Sequence, residues 1–273
     1  MPTLALAFPN IDPILLQVGP IAIRWYALSY IAGLFAGVYY MRRLVSHPPA
    51  LMTPVQVDDF FLWTMAGIIF GGRLGYVLFY KPAFYLANPG EIVKTWEGGM
   101  SFHGALLGVT IAILLFAHLK KINKWYIADN VACVVPIGLG LGRIANFING
   151  ELWGRTTDAP WGMVFPTGGD VPRHPSQLYQ AFLEGLVLLI VLRLLWLNPK
   201  VRNRPGTITG AFWIGYGVVR VIGEFFREPD AHLGFLFGGA TMGQLLSVPM
   251  ILIGMFFIWY AKPLEAAPRE VIR

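Results

Sequence analysis

The sequence contains few charged residues and almost no cysteine. Charged side chains make up 13% of the 273 residues, and Cys133 is the single cysteine. One cysteine cannot build a disulfide framework or a paired-thiol metal site within the chain. We interpret Cys133, which lies among valine and alanine residues, as a packing residue. So low a charge content also excludes an ordinary soluble domain.

Apolar residues dominate the composition instead. They make up 56% of the chain and the mean hydropathy is +0.58, values typical of a polytopic membrane protein. We therefore predict one integral-membrane domain over residues 1–273. The excess of 21 Lys and Arg over 15 Asp and Glu is interpreted as a sign of membrane topology and not of nucleic-acid binding.

Hydropathy predicts an all-α bundle of about seven transmembrane helices, since each apolar segment is close to the twenty residues that a helix needs to cross. The segments lack the alternating pattern of barrel strands, and unpaired backbone groups cannot face lipid. The predicted spans are residues 14–41, 57–80, 98–119, 127–148, 176–197, 207–226 and 241–260.

The positive residues outside these spans predict the orientation. Most of them fall on one side, including Arg42, Arg43, Lys120 and Lys121, which places the N-terminus outside and the C-terminus in the cytoplasm. Each span then carries polar residues toward the outer leaflet. We therefore predict one polar chamber near the outer face, next to a small extracytoplasmic loop region.

Arginines within the apolar segments are the candidate ligands of this chamber. Placing an arginine at the bilayer centre costs about 3 kcal/mol, so a retained one usually serves a site. A guanidinium donates two hydrogen bonds to adjacent oxygens and stays charged, which suits the phosphate of a phospholipid headgroup. The alternative is a set of structural ion pairs, Arg220 with Glu224 and Arg143 with Glu151. The four intramembrane arginines are Arg24, Arg73, Arg143 and Arg220.

Helical spacing groups further polar residues with two of these arginines. Tyr216, Arg220 and Glu224 recur every four residues, and Arg143 and Asn146 are three residues apart. Each set therefore shares one helix face. The spaced glycines in the first, second and fourth spans are interpreted as helix-packing positions; they are Gly33, Gly37, Gly67, Gly71, Gly75, Gly138 and Gly142.

His103 and Gly154 are two further candidates. His103 opens the third span, in a glycine-flanked turn at the membrane surface, where an imidazole can act as a base near neutral pH; a structural histidine is the alternative. Gly154, between Trp153 and Arg155, is not explained by helix packing. No His and Glu with ligand spacing share a helix, so no metal site is predicted.

The segment from Gly142 to Gly154 resembles the signature of the bacterial prolipoprotein diacylglyceryl transferase family. That signature runs Gly-Arg, two residues, Asn-Phe, one residue, Asn, one residue, Glu, two residues, Gly, and every fixed position is matched. The resemblance covers nearly the whole chain. The other segments that carry it are residues 23–26, 71–75, 101–104, 174–179, 216–224, 225–230 and 242–244.

The resemblance implies a specific reaction. Members of the family transfer the diacylglyceryl group of phosphatidylglycerol to the lipobox cysteine thiol in a prolipoprotein signal sequence, forming a thioether and releasing glycerol phosphate. This is the first step of bacterial lipoprotein maturation and takes place at the periplasmic face of the inner membrane. The expected partners are therefore phosphatidylglycerol, the signal sequence and membrane lipids, with no cofactor and no nucleic acid.

The chemistry assigns roles to the candidate residues. The thiolate must displace a phosphate oxygen from a glycerol carbon, and a free thiol with a pKa near 8.5 is mostly protonated at neutral pH. The enzyme therefore needs a base and a group that stabilises the leaving phosphate. We expect the base to be His103, or else Glu151 or Glu224. Tyr26 and Tyr216 are expected to orient the headgroup or the thiol, and Gly154 to let the backbone approach the headgroup closely. The residues expected to contact the phosphate are Arg143, Arg220, Asn146 and Arg73.

Two other functions compete with this interpretation. A phospholipid flippase or lipid-binding transporter would carry the headgroup across the membrane, but the polar groups gather at one leaflet and no repeated halves flank a midplane site. A second alternative is another headgroup transferase that uses the same phosphate contacts on a different acceptor.

Overall fold

The computed structural model describes residues 6–9, 11–19, 21–229 and 234–264, and only the backbone of Ile21. Asp230, the last residue of one segment that resembles the family, lies outside these residues. The strands are β1 (Leu6–Ala7), β2 (Ile14–Val18), β3 (Ile21–Arg24) and β4 (Met163–Val164). The helices are α1 (Trp25–Val45), α2 (Pro54–Phe79), α3 (Pro82–Ala87), α4 (Phe102–Lys120), α5 (Lys124–Ile148), α6 (Ser176–Gln180), α7 (Leu188–Leu197), α8 (Pro199–Arg202), α9 (Thr207–Glu224) and α10 (Met242–Tyr260).

The prediction of a helical, multi-pass membrane protein is confirmed. Within the described residues, five helical stretches are long and apolar enough to cross a membrane: α2, α4, α5, the continuous stretch Ser176–Leu197 and α10. Their bounds agree with five of the predicted spans to within four residues at each end. Helices α1 and α9 are not among these five.

The predicted first span is wrong over its N-terminal part. Residues of β2 pair with those of β3 in an antiparallel hairpin, and helix α1 begins only at Trp25. Gly19, between the two strands, has a φ of +59°, which glycine adopts without strain. Arg24 therefore ends a strand and is exposed, instead of lying inside a transmembrane helix.

Apolar side chains cover much of the outer surface of the helices. Leu62 and Phe70 on α2 are each 67% exposed. In contrast, Gln177, Gln180 and Glu184 of the stretch Ser176–Leu197 are fully buried. This reversal of the usual arrangement in a soluble protein is expected for helices whose outer faces contact lipid and whose polar groups face the protein interior.

The described residues fall into two compact units, Met41–Asn130 and the remainder, Met1–Tyr40 with Val131–Arg273. In the Met41–Asn130 unit, α2 and α4 pack antiparallel through glycines. A Cβ atom added at Gly67 would lie 2.7 Å from the carbonyl oxygen of Gly108. The two backbones are therefore too close for any larger residue at this crossing, which bears out the packing interpretation of the glycines here.

In the other unit, α9 packs antiparallel against two neighbours. Along the stretch Ser176–Leu197, Gly223 lies beside Gln180. On the other side, Gly210 contacts Gly254 of α10 and the last residue of α9, Glu224, reaches the first turn of α10. This register places the C-terminal end of α9 beside the buried side chain of Gln180 and the first turn of α10.

Candidate active site

A buried carboxylate joins two of the three arginines that were predicted to bind phosphate. Arg143 of α5 donates from Nε to Oε2 of Glu184 at 3.0 Å and from Nη2 to Oε1 at 3.5 Å. Arg220 of α9 places Nη1 at 3.5 Å from the same Oε1 atom. The Glu184 side chain is fully buried, whereas those of Arg143 and Arg220 are 16% and 13% exposed. The arginines therefore meet at one point, as the sequence predicted, through a residue that it did not single out.

Glu224 forms the second acidic centre of this cluster. Its Oε1 atom accepts from Nη2 of Arg220 at 2.6 Å, which is the predicted pair one helical turn apart, and from Nη1 of Arg227 at 3.4 Å. The hydroxyl of Thr241 donates to Oε2 at 2.6 Å. Gly243 allows this contact, because a Cβ there would lie 2.7 Å from the carboxyl carbon.

The five side chains of this arginine cluster carry an excess of positive charge. Three guanidinium groups face two carboxylates, and all five are buried or nearly so. The members are Arg143, Arg220, Arg227, Glu184 and Glu224. Because Arg143 and Arg220 share one carboxylate and each keeps part of its side chain exposed, the cluster can accommodate an added anion and gain charge-assisted hydrogen bonds.

The signature segment after α5 folds around Glu151. Its Oε1 atom accepts from the side-chain amide of Asn146 at 2.9 Å and from that of Asn149 at 3.1 Å. Glu151 is nevertheless exposed, whereas Asn146 is buried. The alternative of an Arg143–Glu151 ion pair is wrong, since Arg143 pairs with Glu184 instead.

Two tyrosines lie near this cluster. Tyr26, in the first turn of α1, shares a hydrogen bond of 3.1 Å with the Tyr30 hydroxyl and interacts electrostatically with Glu151 and Arg143. Tyr216 precedes Arg220 by one turn of α9 and interacts with Arg143 and Glu184. Both tyrosines therefore lie close to charged residues of the candidate site, and their role in orienting the headgroup or the thiol stays a prediction.

Gly154 fixes the loop after α5 to the end of α9. It pairs with Arg227 in an isolated antiparallel bridge. The neighbouring Arg155 donates to the carbonyl oxygens of Arg227 and Glu224, both at 3.0 Å. The chain at Gly154 therefore lies against the segment that carries two members of the arginine cluster.

His103 and Arg73 belong to the Met41–Asn130 unit. His103 is exposed in the first turn of α4, its ring edge-on to Phe102 at 5.7 Å. Arg73 is buried and donates to four backbone carbonyl oxygens, those of Glu91, Ile92, Gly98 and Gly99. This use of its donors favours a structural role for Arg73, which holds the loop between α2 and α4.

A sequence model of the prolipoprotein diacylglyceryl transferase family matches residues 13–260. The chain belongs to this family. Similar proteins include the phosphatidylglycerol–prolipoprotein diacylglyceryl transferase of Paramagnetospirillum magneticum, 58% identical over 260 residues that cover 95% of this chain and 97% of that protein. Proteins of the same name from Brucella anthropi and Brucella ovis are 54% and 53% identical, covering 96% and 99% of this chain and 96% and 98% of their own lengths.

Two members of the arginine cluster in this diacylglyceryl transferase family member, and the Thr241 hydroxyl that contacts it, were not among the candidates from sequence. Glu184 is the one acid in the apolar stretch Ser176–Leu197, and an ionisable residue within a membrane helix is by itself a functional signal. Arg227 follows the end of α9, and Thr241 is the N-cap of α10. Only the fold reveals that both converge on Glu224.

Proposed function

We propose that the protein transfers the diacylglyceryl group of phosphatidylglycerol to the lipobox cysteine thiol of prolipoproteins. The names of relatives that are 53 to 58% identical over nearly the whole chain support this reaction. The structural observation that carries the proposal is the meeting of Arg143 and Arg220 on Glu184 within a cluster that has more guanidinium groups than carboxylates.

In the proposed reaction, the thiolate sulfur attacks the glycerol carbon that bears the phosphate. A carbon–sulfur bond forms, the carbon–oxygen bond breaks, and its electron pair leaves on the oxygen of glycerol phosphate. Arg143 and Arg220 hold the phosphate and stabilise the charge that develops on this oxygen. Asn146 lies one helical turn after Arg143 and supplies an amide donor at the same end of α5.

The thiol proton requires a base, and the three candidates differ in their contacts. We set Glu224 aside, because it is buried and both of its carboxylate oxygens already accept hydrogen bonds or ion pairs within the protein. Glu151 is exposed and accepts only amide hydrogen bonds in the described contacts. We propose Glu151 or His103 as the base, with Tyr26 and Tyr216 orienting the reacting groups.

The transfer reaction is tested with purified protein in vesicles that contain phosphatidylglycerol and a peptide bearing a lipobox cysteine. We expect the peptide mass to increase by one diacylglyceryl unit while glycerol phosphate is released. An unchanged peptide with lipid moved between leaflets would favour the flippase alternative. A peptide that gains a different unit would favour another headgroup transferase.

We further propose that the chain forms one domain with seven spans, counting α1 and α9, in the bacterial inner membrane. The N-terminus lies outside, the C-terminus lies in the cytoplasm, and the arginine cluster faces the periplasm. A Cys133→Ala background with Lys94→Cys or Lys121→Cys tests this orientation. A membrane-impermeant maleimide added to intact spheroplasts should label position 94 and not position 121, and the reverse pattern would refute the orientation.

A further inference from the structure

The helix that carries Glu184 is interrupted by a π-helical segment, Ala181–Val187, between α6 and α7. The amide of Leu188 donates to the carbonyl oxygen of Leu183, five residues earlier. Such wide turns are rare and occur frequently at functional sites. They insert an extra residue and so change the direction in which the side chains of the turn point. Glu184 lies within this segment.

Close backbone contact fixes the π-helical segment against the arginine-bearing helices. A Cβ added at Gly185 would lie 2.7 Å from Cα of Gly140, and Gly140 precedes Arg143 by three residues in α5. On the other side, a Cβ at Gly215 of α9 would lie 2.7 Å from a side-chain carbon of Leu188. The π-helical segment is therefore packed backbone to backbone against α5, and the Leu188 side chain directly after it packs against the backbone of α9.

Both guanidinium groups of the pair lie within ion-pair distance of the Glu184 carboxylate, and the other nitrogen of Arg220, Nη2, pairs with Glu224 at 2.6 Å. Arg143 uses Nε and Nη2 for Glu184. Nη1 of Arg220 lies 3.5 Å from Oε1 of Glu184 and forms no hydrogen bond within the described part of the chain. A buried donor without a hydrogen bond is uncommon and needs an explanation. The atom is explained if the nearby Glu184 charge directs it toward an acceptor that arrives with the substrate.

We propose that Glu184 is a positioning residue, which sets the direction of the Arg143 and Arg220 guanidinium groups so that both reach one lipid phosphate. This inference rests on the proposed function. A carboxylate that only neutralised charge would not need to contact both arginines. The longer side chain of glutamate, placed on a π-helical turn, is needed for one carboxylate to reach arginines on both α5 and α9.

Glu184→Asp separates positioning from charge balance, because it keeps the charge and shortens the reach by one methylene. We expect its kcat for diacylglyceryl transfer to fall about 10²-fold, as for a misplacement of about 1 Å, with a raised KM for phosphatidylglycerol. Asp59→Asn, which breaks an exposed pair with Lys120, serves as the control and should keep both constants. A Glu184→Asp protein with kcat and KM within twofold of wild type overturns the proposal.

A second pair of variants covers the case in which Glu184→Asp does not fold. Gly140→Ala adds a Cβ at 3.1 Å from Cα of Gly185, so the π-helical segment must shift by a few tenths of an ångström. Gly138→Ala, on the same helix, meets nothing within 4 Å. We expect kcat to fall at least fivefold for Gly140→Ala relative to Gly138→Ala, with both proteins folded in detergent. Equal kcat values overturn the proposal.

The wild-type protein separates this inference from the function on which it rests. Wild type that transfers no diacylglyceryl group refutes the proposed function itself. Active wild type, together with Glu184→Asp or Gly140→Ala variants that match their controls, refutes only the positioning role.

Discussion

The amide nitrogen of Gly154 donates to the carbonyl oxygen of His174 at 2.9 Å, and the space around its Cα is already filled. A Cβ at this position would lie 2.5 Å from the carbonyl oxygen of Phe226 and 2.6 Å from that of His174. Both are backbone atoms that cannot move without separating the loop from the end of α9. The close contact therefore requires glycine.

Gly154→Ala should lower both activity and stability. Overpacking of this kind costs about 1–3 kcal/mol, and the displaced segment carries Glu224 and Arg227 at the end of α9. Thermal unfolding in detergent and transfer to a lipobox peptide measure the two effects. Gly90→Ala is the matched control, because a Cβ at Gly90 meets nothing within 4 Å. Equal behaviour of the two variants would contradict the prediction.

Arg143→Lys and Arg220→Lys should each lose most transferase activity although the charge is retained. A lysine ammonium cannot reproduce the planar fork that contacts a carboxylate and a phosphate together. We expect kcat/KM to fall about 10²-fold, as for the loss of one donor to a developing oxyanion. A lysine variant as active as wild type would argue against the proposed phosphate contacts.

Single substitutions rank the two candidate bases. Loss of a general base usually lowers the rate 10²- to 10⁴-fold, so His103→Gln and Glu151→Gln should differ sharply in kcat. The substitution that removes the base should also abolish the acidic limb of the pH–rate profile. If the kcat of His103→Gln falls less than about tenfold while that of Glu151→Gln falls further, Glu151 is the base. If kcat is retained in both variants, neither residue is the base.

His174 should make the stability of the protein depend on pH. Burial lowers the pKa of its imidazole below the usual 6.5, and the ring packs against Phe226 and Tyr179. The imidazole therefore binds a proton more readily in the unfolded chain. The stability that neutral His174 contributes is fully present above pH 6.5 and is lost as the pH falls below that value.

The unfolding temperature of wild type should drop more than that of His174→Gln when the pH is lowered from about 7.5 to about 5.5. All other titrating groups are common to the two proteins, so the difference isolates His174. An equal drop in both proteins would contradict the assignment.

Local patterns made part of the site predictable from sequence. Arg220 and Glu224 are four residues apart on one helix, and the expected ion pair forms at 2.6 Å. The partner of Arg143 is 41 residues away in the chain, and no spacing rule identifies a contact between separate helices. The nearby Glu151 was therefore the natural but incorrect choice of partner.

The fold was predictable where apolar segments are long, and less so near their ends. The stretch Ser176–Leu197 has the predicted bounds. Residues 14–18 and 21–24 are also largely apolar but pair as the strands of a hairpin, because backbone pairing and a glycine turn, rather than total hydropathy, decide their conformation. The π-helical segment around Glu184 was not predicted, since its close contacts are with helices that are distant in sequence.

The sole sulfhydryl of the protein, that of Cys133, is 1% exposed within α5. An enzyme that alkylates sulfur could modify itself if its own nucleophile met the activated lipid. Sequestration in the core removes that competing acceptor. The thiol of an incoming chain therefore meets no competition from a sulfhydryl of the enzyme itself.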